Sequence, residues 1–241
     1  MFTLHNGDCL EYMKSLPDKS VSAVITDPPY GVNIASWDGE MPPQQVLSEC
    51  LRVSSGAVIW FGGAKTLLNF GEYTPRPSRI LIWSPKFTFN KSSDMGMFYR
   101  YHPIACWNLS EPKINIGSDV IDDMTEGKNW WYHPGTKPVS IMKKLVHAFG
   151  GDCVLDPFTG SGTTGVACVQ LGINFIGCEI SPEYYSIASK RINQASLQEG
   201  LFTPSNNRLH WTGGDSPALP SQSTLEGFTA PEADTTLPAS Q

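Results

Sequence analysis

Asp27-Pro28-Pro29-Tyr30 follows directly on the apolar run Val21-Ser22-Ala23-Val24-Ile25-Thr26, and these four side chains suit chemistry on a planar amino group. An exocyclic amine is a poor nucleophile because its lone pair is delocalised into the ring. A carboxylate and a following proline carbonyl, fixed at a strand end, can accept its two N–H hydrogens and draw the nitrogen toward sp3 geometry. Charge that forms in the transition state then meets prepared acceptors. The two prolines lock φ and remove two donors, which stiffens the turn. Tyr30 offers a π-face for a base, worth roughly 1–3 kcal/mol. The chemistry expected is methylation of a nitrogen, with Asp27, Pro28, Pro29 and Tyr30 as the catalytic residues. The bland alternative is a proline-rich turn with an Asp cap.

A second motif argues against that alternative. In Val154-Leu155-Asp156-Pro157-Phe158-Thr159-Gly160-Ser161-Gly162-Thr163-Thr164 a short apolar strand runs into glycines and then into a helix. Glycines let the backbone approach a ligand closely at the carboxyl end of a strand, where open α/β sheets bind nucleotides. The next strand, Asn174-Phe175-Ile176-Gly177-Cys178, ends at Glu179, 19 positions after Gly160. A βαβ unit presents an acidic residue to ribose hydroxyls at about 20 positions. A nicotinamide-dependent oxidoreductase competes for this pattern, and the third glycine it wants is present as Gly165. Its glycine loop usually opens the fold, however, and hydride transfer has no use for Asp-Pro-Pro-Tyr.

Together the motifs resemble the permuted, β-class DNA amino-methyltransferases, the N6-adenine/N4-cytosine methylases that use S-adenosylmethionine. The resemblance covers about residues 4 to 195 and is carried by the joint order of the pieces. Asn6-Gly7-Asp8-Cys9-Leu10 resembles the family's acidic turn, which implies a cofactor contact at Asp8 and its neighbour Cys9. His133-Pro134-Gly135-Thr136-Lys137-Pro138 is similar to the family's His-Pro-Thr-Gln-Lys-Pro, with departures at Gly135 and Thr136, and brings Lys137 to the methionine end of the cofactor. Asp156, Phe158, Gly160, Gly162, Thr163 and Glu179 complete the implied cofactor set. The fold implied is α/β, a doubly wound, mostly parallel Rossmann-like sheet in permuted order.

The substrate implied is adenine N6 in double-stranded DNA. Asp at the first motif position goes with adenine in this family, and Ser more often with cytosine N4, so cytosine is the runner-up. A nucleic-acid-binding module without catalysis, an RNA and a protein amide are further alternatives. A base within a duplex must leave the stack, at a cost of a few kcal/mol. Tyr30 would hold it, with Trp37, Phe87, Phe89, Phe98 or Trp130 as the second clamp. Transfer is an in-line displacement that needs alignment and no metal. Only residues 84–132 are free to read DNA sequence, so recognition is short or loose, or a second copy in a homodimer helps. A solitary modification enzyme is expected from this size.

The 241 residues carry 40% hydrophobic and 17% charged side chains, enough for one good-sized core. No apolar run approaches a membrane span and the start lacks a signal-peptide profile, so the cytoplasm is expected. The six cysteines form no Cys-x-x-Cys pair and read as reduced core residues. The net charge of −6 is concentrated in the tail, where Arg208 faces Glu199, Asp215, Glu226, Glu232 and Asp234. Between 65 and 100 the balance reverses, with Lys65, Arg76, Arg79, Lys86, Lys91 and Arg100 against Glu72 and Asp94. Arg76, Lys86, Lys91 and Arg100 are therefore candidate phosphate contacts. Residues 1–196 are expected to form the methyltransferase domain and 197–241 a disordered tail.

Pattern and punctuation predict helices near Cys9–Ser15, Pro43–Val53, Ala64–Phe70, Pro138–Phe149, Thr163–Leu171 and Pro182–Ile192. Strands are predicted over Val21–Thr26, Ala57–Phe61, Arg79–Trp83, Pro103–Trp107, Asp152–Leu155 and Phe175–Cys178. The catalytic turn and the glycine bend must then meet at one sheet edge.

Overall fold

Strand residues that alternate between two buried faces organise the computed structural model, which describes residues 1–31, 41–64, 67–85, 90–91, 98–99, 101–114, 116–123 and 136–202. The elements run β1 (Phe2–Asn6), α1 (Cys9–Ser15), β2 (Ala23–Thr26), α2 (Gln44–Val53), β3 (Val58–Phe61), a 3-10 turn (Leu68–Glu72), β4 (Arg79–Pro85), β5 (Asn90–Lys91), β6 (Phe98–Tyr99), β7 (His102–Trp107), β8 (Val120–Asp123), α3 (Val139–Phe149), β9 (Cys153–Asp156), α4 (Thr163–Gln170), β10 (Asn174–Glu179) and α5 (Pro182–Phe202).

Eight strands form one sheet in the order β1-β10-β9-β2-β3-β7-β4-β8, and β5 pairs with β6 separately. Within the eight-stranded sheet the pairings are parallel except that β7 is antiparallel to both β3 and β4, and β5 and β6 pair antiparallel. Because side chains alternate with period two, each central strand feeds both faces. Ala23, Ile25, Ile59, Phe61, Leu81, Trp83, Ile104 and Val154 pack with Ile141, Leu145 and Val146 of α3 and with Val166 and Cys168 of α4. Val24, Val58, Trp60, Ala105, Trp107 and Leu155 pack on the other face with Met13 of α1 and Val46, Leu47, Cys50 and Val53 of α2. The doubly wound, mostly parallel sheet is the expected one.

The chain leaves β2 toward β3 on one side, whereas from β9 it passes to β10 on the other, and β2 and β9 are neighbours. That reversal opens a crevice at their carboxyl ends. Asp27 follows β2 there, and Asp156 ends β9.

Several elements differ from the sequence expectation. β1 is an added edge strand whose Phe2 to Asn6 pair with Phe175 to Glu179. β8 pairs its Val120–Asp123 with Ile82–Pro85. The helix expected near Ala64–Phe70 is a 3-10 turn at Leu68–Glu72, with residues 65–66 outside the described set. Gly71 and Pro75 leave little room for a regular helix, and the turn buries Phe70 while Leu68 stays 85% exposed. α5 continues to Phe202, ten residues beyond Ile192, so the expected disordered tail does not start at 197. Ala188, Ile192 and Ala195 bury its inner face. Residues 203–241 lie outside the described set. Among the described residues no helix is long and apolar enough to cross a membrane, and no cluster of His, Cys, Asp and Glu could hold a metal ion. All six cysteines are free thiols.

Candidate active site

The Asp27–Tyr30 turn and the glycine bend line one cleft of about 210 Å3. Its walls include Asp27, Pro28, Pro29 and Tyr30 on one side, and Phe158, Gly160, Ser161, Thr163 and Glu179 on the other. Thr26, buried at the end of β2, donates its hydroxyl to Asp156 Oδ1 at 2.6 Å and ties the two strand ends together.

Asp27 is held by two donors. Tyr30 donates its hydroxyl to Oδ1, and Lys137 donates Nζ to Oδ2 at 2.5 Å. Lys137 also reaches the Tyr30 hydroxyl at 2.9 Å, and its ammonium lies 5.3 Å from the Tyr30 ring centre and 5.5 Å from that of Phe61. A lysine this deeply enclosed needs a counter-charge, which Asp27 provides. The family resemblance brings Lys137 to the methionine end of a cofactor; the structure seats its ammonium on the Asp27 carboxylate. A carboxylate has about four lone-pair sites, so Asp27 retains capacity for a further N–H.

Asp156 and Glu179 set the shape of the opposite wall. The buried Asp156 carboxylate accepts from Thr26, from Thr164 Oγ1 at 2.7 Å and from the Phe158 N–H at 3.1 Å. Burial outweighs these bonds and pushes its pKa up to about 6. Its role is to brace β2, the bend and α4. Glu179 Oε2 accepts the Gly160 N–H and Oε1 accepts the Ser181 N–H, each at 2.8 Å. Burial raises its pKa against those two bonds. Gly160 and Gly162 have φ of +53° and +86°, in the left-handed region that glycine tolerates. A Cβ on Gly160 would meet nothing nearer than Phe158 O at 4.0 Å, so its backbone is presented bare to the cleft. Phe158 leans on Trp60 at 6.5 Å between ring centres. This wall, with a bare glycine bend beside a carboxylate, fits the ribose and amino-acid ends of a nucleoside cofactor.

Asp8 and Cys9 are not among the residues lining this cleft. Asp8 Oδ1 caps α1 by accepting from Leu10 and Glu11 N–H, two residues beyond Asn6, which pairs with Glu179 in the β1–β10 register. Cys9 packs against the α1–α2 core, and burial pushes its thiol up to about 12.

Arg76 lies away from the edge that carries Asp27. Arg79 starts β4 opposite Cys106, whereas Trp83 pairs with His102 at the edge that carries Asp27. With seven residues in β4, its ends stand about 20 Å apart at roughly 3.3 Å per residue. Exposed Arg76 precedes Arg79 and lies beyond the far end. Lys86 and Arg100 fall outside the described residues, as do Lys65, Trp37, Phe87, Phe89, Trp130 and His133 to Gly135; Lys91 and Phe98 lie in β5 and β6.

Two features escaped sequence reasoning. Arg191 of α5 reaches the bend, donating to Ser161 O at 2.5 Å and Ser161 Oγ at 2.8 Å. Trp83 and His102 stack at 4.8 Å behind the site, and among the described residues neither Trp83 Nε1 nor His102 Nδ1 has a hydrogen-bond partner. Burial first, then the Lys137 charge, lowers the His102 pKa to about 4.

The sequence profile of the DNA methylase family matches residues 117–190. The type II methyltransferase M.HinfI of Haemophilus influenzae is 26% identical over 80% of this chain and 68% of its own length. The DNA adenine methyltransferase YhdJ of Escherichia coli is 26% identical over 80% of this chain and 83% of its own. Among solved structures, the M1.HpyAVI–SAM complex matches with a TM-score of 0.60 and 23% identity over 79% of this chain and all of that one. The cytosine-N4-specific PvuII DNA methyltransferase matches at 0.62 and 15% over 82% and 92%. Both share this fold, and the homodimer expectation gains no support from these comparisons. With the profile match, the relatives and the ordered motifs in agreement, the chain is similar to the N6-adenine/N4-cytosine DNA methylases.

Proposed function

We propose that the chain transfers a methyl group from S-adenosylmethionine to N6 of adenine in double-stranded DNA, in the cytoplasm, on a base flipped out of the duplex. The observation that carries this reading is the single cleft shared by Asp27–Tyr30 and the Phe158–Gly162 bend. Asp at position 27 and a relative named as a DNA adenine methyltransferase favour adenine over cytosine.

S-adenosylmethionine supplies, when bound, a methyl group on an electrophilic sulfonium. The chain aligns and polarises its partner. Asp27 accepts one amino N–H through a lone pair left by Tyr30 and Lys137, and the Pro28 carbonyl accepts the other. Developing positive charge on the nitrogen then faces the carboxylate. Glu179 offers its remaining lone pairs to ribose hydroxyls, while Gly160, Gly162, Thr163, Phe158 and Lys137 enclose the rest; Asp8 is assigned to the adenine end. The methylated nitrogen afterwards loses a proton to Asp27 or water.

The catalytic domain is taken to extend from residue 1 through α5, with the DNA reader in 84–132. β4 ends at Pro85 and β7 starts at His102, both at the Asp27 edge, so the connection carrying Lys86, Lys91 and Arg100 departs from and returns to that edge. These three are the proposed phosphate contacts. The test is to incubate wild type and Asp27→Ala with labelled cofactor and duplex DNA, digest to nucleosides and locate the label. Label on N6-methyladenosine from wild type alone is expected. Label on cytosine would select the N4 reaction, and cofactor binding without transfer would overturn both.

A further inference from the structure

Ser161 sits between two glycines in left-handed conformation, Gly160 and Gly162. Such a bend has little intrinsic stiffness, because glycine loses more backbone freedom on ordering than any other residue. Its shape must be imposed from outside. Glu179 takes the Gly160 N–H, and the Thr159 hydroxyl bonds Asp156 O at 3.0 Å. Beyond that point the bend is gripped from α5. Arg191 Nη1 donates to the Ser161 carbonyl and hydroxyl and stands 3.4 Å from Thr163 Oγ1. Ser161 and Thr163 are only 5% and 6% exposed, so water does not substitute freely for that donor. Ser161 Oγ is also 3.3 Å from Thr136 Oγ1, the residue before Lys137.

We propose that Arg191 is a positioning residue for cofactor binding: its guanidinium holds the Ser161 peptide so that the Gly160–Thr163 bend keeps the shape that receives S-adenosylmethionine. This rests on the methyltransferase reading above. Arginine suits the task because its planar fork meets several acceptors at fixed angles, whereas a lysine ammonium is a point charge on a flexible stem. The residue does not line the cleft and acts through Ser161.

The test is calorimetric titration of wild type, Arg191→Met and Arg191→Lys with S-adenosylhomocysteine, without DNA, beside hydrogen exchange of the 158–163 segment. The expected result is a roughly tenfold weaker Kd for Arg191→Met, about 1.4 kcal/mol, and partial recovery in Arg191→Lys. Exchange should quicken at 158–163 and stay unchanged in the middle of α5. Steady-state assays should show the loss in the cofactor KM, with kcat at saturating cofactor and the KM for DNA within about twofold of wild type. Arg191→Lys keeps the charge and the stem, so it remains informative if Arg191→Met misfolds. Wild-type binding with unaltered Kd in the folded variants would overturn the assignment of Arg191 alone. Failure of wild type to bind would overturn the methyltransferase reading together with it.

Discussion

The Lys137 ammonium stands 2.5 Å from the Asp27 carboxylate, across 110 residues of chain. The lysine side chain is 5% exposed and the aspartate 20%. Removing one member of a fully buried pair costs about 3–5 kcal/mol, and the partial exposure of Asp27 discounts that to about 2 kcal/mol. Lys137→Met should therefore lower stability by about 2 kcal/mol in urea unfolding. The double variant with Asp27→Asn should cost less than the sum of the single ones. Additive costs would show that the pair is a bystander contact.

Asp27→Asn keeps the shape of the side chain and removes its charge. Methyl transfer should fall about 10²–10³-fold, the loss typical of removing one prepared electrostatic group. The Kd for S-adenosylhomocysteine should stay within about threefold, since Glu179 and the glycine bend are untouched. Equal losses in binding and transfer would make Asp27 a cofactor residue.

Much of the fold was legible because its signals are local. Val58 to Phe61 and Cys153 to Leu155 are short apolar runs, and Gly160 to Thr163 announces a strand-to-helix bend within a few residues. The edge strands β1 and β8 were missed because half-buried edges carry few apolar residues, as in Thr3 and His5 of β1. The Lys137–Asp27 pair and the grip of Arg191 on Ser161 depend on which strand ends share an edge, a property of topology. The same applies to Arg76. Its basic neighbours in sequence suggested one patch, but β4 carries the chain from one edge of the sheet to the other between Arg79 and Pro85.

Arg76→Ala should for that reason leave the salt dependence of DNA binding unchanged. Lys86→Ala or Arg100→Ala should each reduce the slope of log K against log salt by about 1. A drop for Arg76→Ala equal to theirs would bring the far edge of the sheet into the DNA interface.

Two glycines with positive φ separate backbone strain from crowding. Gly172, at φ +67°, has nothing within 4 Å of where a methyl group would stand, whereas Gly162, at φ +86°, would place one 2.9 Å from Ala188 Cα. Gly172→Ala should cost about 1–2 kcal/mol from the left-handed conformation alone. Gly162→Ala adds a collision with backbone that cannot swing aside, so it should cost at least about 3 kcal/mol. Similar thermal midpoints for the two variants would mean that α5 moves away from the bend without penalty.

Two buried groups should give stability opposing slopes with pH. Asp156 has its pKa raised from 3.8 to about 6 by burial, so between these values the native state binds more protons than the unfolded chain. Stability from this residue falls as pH rises through that window. His102 is lowered from 6.5 to about 4, so there the unfolded chain binds more protons, and stability rises with pH across the window from about 4 to 6.5. The two nearly offset in wild type between pH 4 and 6. Asp156→Asn removes the falling contribution, and stability should then climb steeply from pH 4 to 6.5. His102→Gln removes the rising one, leaving stability that declines from pH 4 to 6. Urea unfolding at half-unit pH steps measures both slopes. Parallel profiles for the two variants would show that the charge states of Asp156 and His102 do not differ between folded and unfolded chains in this way.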